Sequence, residues 1–225
     1  MAKVFIGVGH GGSDSGAVAG GIKESEANLQ MALGMKAELE RHGVIVGISR
    51  MKEENDPLTE EIKEANAFKP DVAVECHNNA GGGDGFEVFR QMNKYAGSSL
   101  KLAQLIEKRV KAAGQNSRGI KTKLNSSGTD YFGWLRQVQA PAVLCEGFFL
   151  DNAKDRADFN TTVKQKTLGV AYAHGVLDYL GIQIKNNAQQ SEKLYRVQVG
   201  AYKEKANAEK LANELKSKGY PVIIV

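Results

Sequence analysis

The sequence predicts an α/β fold: a twisted, largely parallel (mixed) sheet flanked by helices on both faces, with a small partial strand-helix-strand module after it. Three observations lead there. Short apolar runs alternate with amphipathic helical stretches from residue 4 to residue 180. Several of those runs end in an ionisable residue, as the carboxyl ends of parallel strands do at the edge of an open sheet. From Gln183 onward eight Lys/Arg stand against four Glu, a surplus equal to the formal charge of +4 for all 225 residues. The first 182 residues are therefore balanced, and the basic tail suits an anionic polymer better than it suits a basic catalytic groove. No nucleic-acid or membrane partner is expected.

The first run, Val4-Phe5-Ile6-Gly7-Val8-Gly9-His10-Gly11-Gly12, leads a short buried strand into a histidine wrapped in glycines, where backbone can approach closely. Residues 11–21 are too glycine-rich for regular structure, and the lack of a following Gly-Lys-Ser/Thr rules out a phosphate loop. Ser25 reads as the cap of a helix running to about His42 and stopped by Gly43, with Leu29, Ala32, Leu33, Met35 and Leu39 on one arc. Glu24 stands at its entrance, where a carboxylate serves the helix dipole or a ligand. His42 reads as exposed at the helix end, before a second strand at Val44 to Ile48.

A helix from Pro57 to Phe68 stops before Pro70, and Asp71 leads into a strand that ends at His77. After the loop 77–84 come a short strand, Gly85 to Phe89, and a helix from about Ser98 to Ala113. Residues 114–140 read as polar and irregular, with Tyr131, Phe132, Trp134 and Arg136 clustered as a binding loop or a local core. Pro141 opens the strand Ala142 to Cys145, and Glu146 follows it. One helix from about Phe159 to Leu180 closes at Gly181, with His174 assigned to packing or surface. Cys76 and Cys145 each precede a site candidate by one residue, so strand alternation turns them to the opposite face as buried structural thiols.

The limits are a main domain at 1–182, a polar linker at 183–193 and a tail module at 194–225. In the tail, Leu194 to Val199 alternates as a strand, Ala208, Leu211, Ala212 and Leu215 form a helix stripe, and Pro221 to Val225 reads as a strand. A unit that small buries little core alone, so it is expected to be half of a pair. With 42% hydrophobic and 25% charged residues the composition is that of a soluble globular protein. No stretch approaches the roughly 20 apolar residues of a membrane span. The first residues lack a signal-peptide pattern, so synthesis in the cytoplasm without a leader is expected.

Two imidazoles and one carboxylate form the open catalytic zinc pattern, the fourth position being left to water whose pKa zinc lowers to about 7. His10 and His77 supply the imidazoles. Glu24 and Glu146 supply two carboxylates, one to bind and one to carry the proton from water to a leaving nitrogen. Spacing alone leaves open which does which.

The ordered motifs Gly9-His10-Gly11-Gly12-Ser13-Asp14-Ser15-Gly16-Ala17, Glu24 with Asn28-Leu29, Ser49-Arg50, Ala65-Asn66, His77-Asn78-Asn79-Ala80, Gly85-Phe86-Glu87 and Glu146-Gly147-Phe148 are where the resemblance lies. Through them residues 3–180 resemble the zinc-dependent N-acetylmuramoyl-L-alanine amidases of the amidase_3 type, which cleave between N-acetylmuramic acid and the L-alanine of the stem peptide. The resemblance implies one Zn2+ held by His10, Glu24 and His77, Glu146 as the catalytic carboxylate, and Asn79 as a substrate contact. It also implies action at the bacterial cell wall, in mother-cell lysis or phage release. A non-catalytic wall-binding protein and a zinc peptidase cutting within the stem peptide are the alternatives. Glu61 stands where the family often has Arg, and Phe148 where it usually has Gly; both are expected to alter only local surface and loop shape. The tail, through Tyr195-Arg196-Val197-Gln198-Val199-Gly200-Ala201-Tyr202 and Ala206-Asn207-Ala208, resembles one sporulation-related (SPOR) repeat, which implies binding to peptidoglycan glycan strands.

Overall fold

The structure, a computed structural model, describes residues 1–185, 198–218, 220 and 222. The chain divides into two compact units, Met1–Ile184 and Lys185–Val225. In the first, six strands form one sheet in the order β4-β1-β5-β8-β6-β7. These are β1 (Lys3–Val8), β4 (Ile45–Ile48), β5 (Val72–Asn79), β6 (Phe86–Arg90), β7 (Ser117–Lys121) and β8 (Ala142–Phe149). β4, β1, β5 and β8 run parallel, whereas β6 lies antiparallel to β8 and carries β7 parallel to itself. The sheet is therefore mixed and largely parallel, as expected. A hairpin of β2 (Val18–Ala19) and β3 (Ile22–Lys23) stands apart from it.

β1, β5 and β8 are buried on both faces because helices cover both, and each carries an apolar run accordingly. On one face α1 (Glu24–Arg41), α3 (Ala96–Ala112) and α6 (Thr162–Leu180) bury Leu39, Ile106 and Tyr172 with Val4, Ile6, Val74 and Val143. On the other, α2 (Leu58–Phe68) and α4 (Gly133–Gln137) close a smaller core of Phe5, Ile62, Ala65, Trp134 and Leu144. α1 and α6 approach closely at Gly169, where a Cβ would fall 1.9 Å from the Met31 carbonyl.

Several expectations are corrected. α1 starts at Glu24, and Ser25 is buried in its first turn rather than capping it. The physical reason is that loop carbonyls already serve the first donors: Glu24 N–H donates to Ala17 O at 2.9 Å and Ser25 N–H to Ser15 O at 3.1 Å. His42 is 7% exposed, not a surface residue, because its ring donates to the Glu38 carbonyl one turn back at 2.8 Å. Residues 114–140 contain β7 and α4. The long C-terminal helix is two, α5 (Ala153–Phe159) and α6, separated where extended Thr161 caps α6 through Lys164 N–H. Strands β5 and β8 run on past His77 and Glu146.

In the second unit α7 (Lys205–Ser217) carries the expected stripe and buries Ala212. The strands expected at 194–199 and 221–225 lie largely outside the described residues, as does most of the 183–193 linker. Among the described residues no helix is long and apolar enough to cross a membrane.

Candidate active site

β1 ends beside β5, where Gly9 N–H donates to Cys76 O at 3.1 Å, and His77 and Glu146 are register partners on β5 and β8. His10, the residue after Gly9, adopts φ +63°, a left-handed conformation uncommon outside glycine. Its turn is tied down from two sides. The buried Arg50 donates to Val8 O (3.1 Å), Gly9 O (3.2 Å) and Ser25 O (2.8 Å), joining the end of β1 to the start of α1. Asn28 Nδ2 also donates to Gly9 O at 3.0 Å, while its Oδ1 accepts from Asn78 Nδ2 at 2.8 Å.

Those ties bring Glu24 between the two histidines. Glu24 Oε1 lies 3.3 Å from His10 Nε2 and 3.0 Å from His77 Nδ1, and the imidazole rings meet edge to face at 5.0 Å. One ligand atom from each of His10, Glu24 and His77 lies within 4.8 Å of the others. The far ring nitrogens face other carboxylates: His10 Nδ1 is 2.8 Å from Asp14 Oδ2, and His77 Nε2 is 3.4 Å from Glu75 Oε1.

Burial alone would push the Glu24 carboxyl up, but hydrogen bonds from His10 and His77 and their charge hold it well below the usual carboxylate range. The Glu24 hydrogen bond raises His10. For His77 burial acts downward and is outweighed by hydrogen bonds to Glu24 and Glu75. Glu146, with Oε2 buried and unpartnered, is pushed up to about 7 chiefly by burial. The chemistry is that of a buried anion shared by two imidazoles, with a second carboxylate poised to exchange a proton near neutrality.

A cavity of about 570 Å³ opens over this group, lined by His10, His77 and Glu146 and walled by Leu58, Phe132 and Trp134. Of the aromatic cluster, Phe132 and Trp134 are thus both core and cavity wall, whereas Tyr131 is exposed. Arg136, grouped with it in sequence, donates instead to the carbonyls of Asp130 (2.7 Å) and Tyr131 (3.0 Å). Asn79 donates from Nδ2 to Glu87 Oε2 at 3.2 Å and is not among the cavity-lining residues. Glu61 and Phe148 are not surface substitutions. Glu61 is 2% exposed, lines the cavity and accepts from Val8 N–H at 2.7 Å, while Phe148 is buried and stacked on Phe159 at 5.1 Å. Sequence reasoning missed Glu75, whose signal was its place two residues before His77 on a strand, hence on the same face.

Fold and site together define a class: an α/β protein whose parallel strand ends assemble a His-Glu-His cluster next to a buried carboxylate. The family model for N-acetylmuramoyl-L-alanine amidase matches residues 4–178, and the SPOR domain model matches residues 191–225. The chain belongs to the N-acetylmuramoyl-L-alanine amidase family. It is 32% identical to the sporulation-specific N-acetylmuramoyl-L-alanine amidase of Bacillus subtilis (strain 168), over 100% of this chain and 85% of the relative. It is 34% identical to the endolysin of Bacillus phage SPP1, over 84% of this chain and 70% of that protein. Among solved structures, the catalytic domain of CwlV, an N-acetylmuramoyl-L-alanine amidase from Bacillus (Paenibacillus) polymyxa var. colistinus, superposes with a TM-score of 0.72 at 30% identity, covering 81% of this chain and 100% of that one.

Proposed function

We propose that this chain cleaves the amide between N-acetylmuramic acid and L-alanine with His10, Glu24 and His77 as the ligands of one zinc ion and Glu146 as the proton carrier. The amidase activity and its peptidoglycan substrate follow from family membership. The residue roles are our reading, and the convergence of three ligand atoms within 4.8 Å beside Glu146 carries it.

The donor set fits. Two imidazole nitrogens and a carboxylate oxygen are a zinc donor set; Glu24 Oε1 stands 3.3 and 3.0 Å from the two nitrogens, and all three atoms lie within 4.8 Å of one another. Bound there, zinc would supply a Lewis acid that polarises the scissile carbonyl and makes water a stronger nucleophile at neutral pH.

The remaining work falls to the chain's own groups. The left-handed His10 turn and the β5 backbone fix two imidazoles around Glu24, so the three donors need little rearrangement. Glu146 accepts a proton from the attacking water at its unpartnered Oε2 and passes it to the leaving nitrogen, which departs as the amine of L-alanine. Leu58, Phe132 and Trp134 give the cavity an apolar wall against which substrate can pack.

We place the action at the cell wall and read the tail, 194–225, as a module that holds glycan strands, joined through 183–193 to a catalytic domain at 1–182. The match to a sporulation-specific amidase along the whole chain favours mother-cell lysis over phage release. Metal analysis and mass spectrometry of products from purified wall test the proposal. One zinc per chain, with muramic acid freed at its lactyl carboxylate and peptides beginning with L-alanine, is expected. Cleavage within the stem peptide, or wall binding without products, would overturn it.

A further inference from the structure

We infer that Glu75 and Asp14 are positioning residues for the metal ligands. Each holds the far ring nitrogen of one histidine, so that His77 binds zinc through Nδ1 and His10 through Nε2.

Glu75 and His77 are two apart on β5, so their side chains leave the same face of the sheet. Glu75 Oε1 is 3.4 Å from His77 Nε2, on the opposite side of the ring from Nδ1, which meets Glu24 at 3.0 Å. The Glu75 residue is only 2% exposed, and its Oε2 has no partner among the described residues. No lysine or arginine pairs with it among the described ion pairs. A carboxylate buried in that way weakens a fold unless something compensates it. The neighbouring acid, Glu61, does not share this arrangement, because its Oε1 accepts from Val8 N–H (2.7 Å) and Ser49 Oγ–H (3.1 Å). His77 is thus the group that gives Glu75 a role.

His10 repeats the arrangement with its nitrogens exchanged. Its Nδ1 meets Asp14 Oδ2 at 2.8 Å while its Nε2 faces Glu24 at 3.3 Å. Asp14 is itself anchored, since Oδ1 accepts from Gly16 N–H at 3.0 Å. An imidazole that donates its far N–H to a carboxylate has its tautomer and ring angle fixed, and its free lone pair points to the metal. Two acids acting in opposite senses on two histidines turn both lone pairs toward Glu24.

The inference rests on the zinc reading above, and the test separates the two. Zinc affinity is measured by chelator competition for the full chain, Glu75→Gln and Asp14→Asn, and histidine 15N spectra are recorded on the zinc-loaded protein. Each variant is expected to lose about 10–100-fold in affinity, without a lower melting temperature in chelator-treated protein. The spectra are expected to show His77 Nδ1 and His10 Nε2 as the bound nitrogens. Affinities within about twofold of the parent, or His77 bound through Nε2, would overturn the inference while leaving the zinc centre standing. A parent protein that takes up no zinc would overturn both. The spectra need no variant, and Asp14, with a side chain 69% exposed, tolerates substitution should Glu75→Gln fail to fold.

Discussion

His77 lies directly over the α-carbon of Gly9: a Cβ built on Gly9 would stand 2.1 Å from His77 Nε2. Glycine at this position is what lets the imidazole reach across from β5 to the end of β1. Gly9→Ala should drive the ring off Glu24 while the sheet persists, because Gly9 keeps its N–H bond to Cys76 O. The expected result is a loss of zinc affinity of at least about tenfold, read by metal content after dialysis against a weak chelator.

Glu146 and His77 are neighbours in register but have different proposed duties, so their variants should differ in kind. Glu146→Gln should keep zinc and lose about 10²–10⁴-fold in turnover, whereas His77→Ala should lose both. Metal content and release of soluble wall fragments, measured on the same preparations, check this. Equal wall lysis by both variants would contradict the assignment.

Much of this site was legible in the sequence because each residue sits at a discontinuity: His10 after an apolar run into glycines, Glu24 at a helix entrance, His77 and Glu146 just past apolar runs, although both strands continue beyond them. Glu75 was not, since nothing local marks a carboxylate within a buried strand until its partner is known. Likewise β7, Ser-Arg-Gly-Ile-Lys, is an edge strand with one neighbour and no fully buried residue, so it never shows an apolar run. Five-residue α4 is too short for a helical period to emerge. Thr161 divides α5 from α6 by a single side-chain cap, a small signal inside a long helical pattern.

Removal of metal should be reversible and should register in stability as well as in activity. With two histidines and Glu24 brought together from β1, β5 and α1, the proposed site exists only in the folded chain, so zinc should bind that state far better than the unfolded one. Excess zinc at about 100 times Kd should then add about 2.7 kcal/mol of stability. A thermal melt with and without chelator measures the shift, and turnover should return on adding zinc back.

A pH effect is expected far from the site, where Glu38 joins α1 to α6. Its carboxylate takes a bidentate pair from Arg41 (2.9 and 2.6 Å) and faces His174 Nε2 at 2.8 Å. Burial pushes the Glu38 carboxyl up, but the hydrogen bonds from Arg41 and His174 outweigh it and hold the carboxyl below its ordinary value. A depressed carboxylate contributes stability that is present above the unfolded-state value of about 4.3 and is lost as pH falls through the folded-state value. Glu38→Gln should therefore lower stability by about 1–3 kcal/mol at neutral pH, with the gap to the parent closing as pH falls below about 4. Urea unfolding across pH, on zinc-free protein, gives the comparison.

Cys76 and Cys145 are register partners on β5 and β8, both free and wholly buried in the larger core, with burial raising both thiols. Both sulfurs lie between the sheet and α1, α3 and α6, so they are uncovered when those helices leave the sheet. Alkylation of these sulfurs is consequently a clock for opening of the core, and an oxidising exterior inflicts damage on this enzyme only as fast as its helices lift from the sheet.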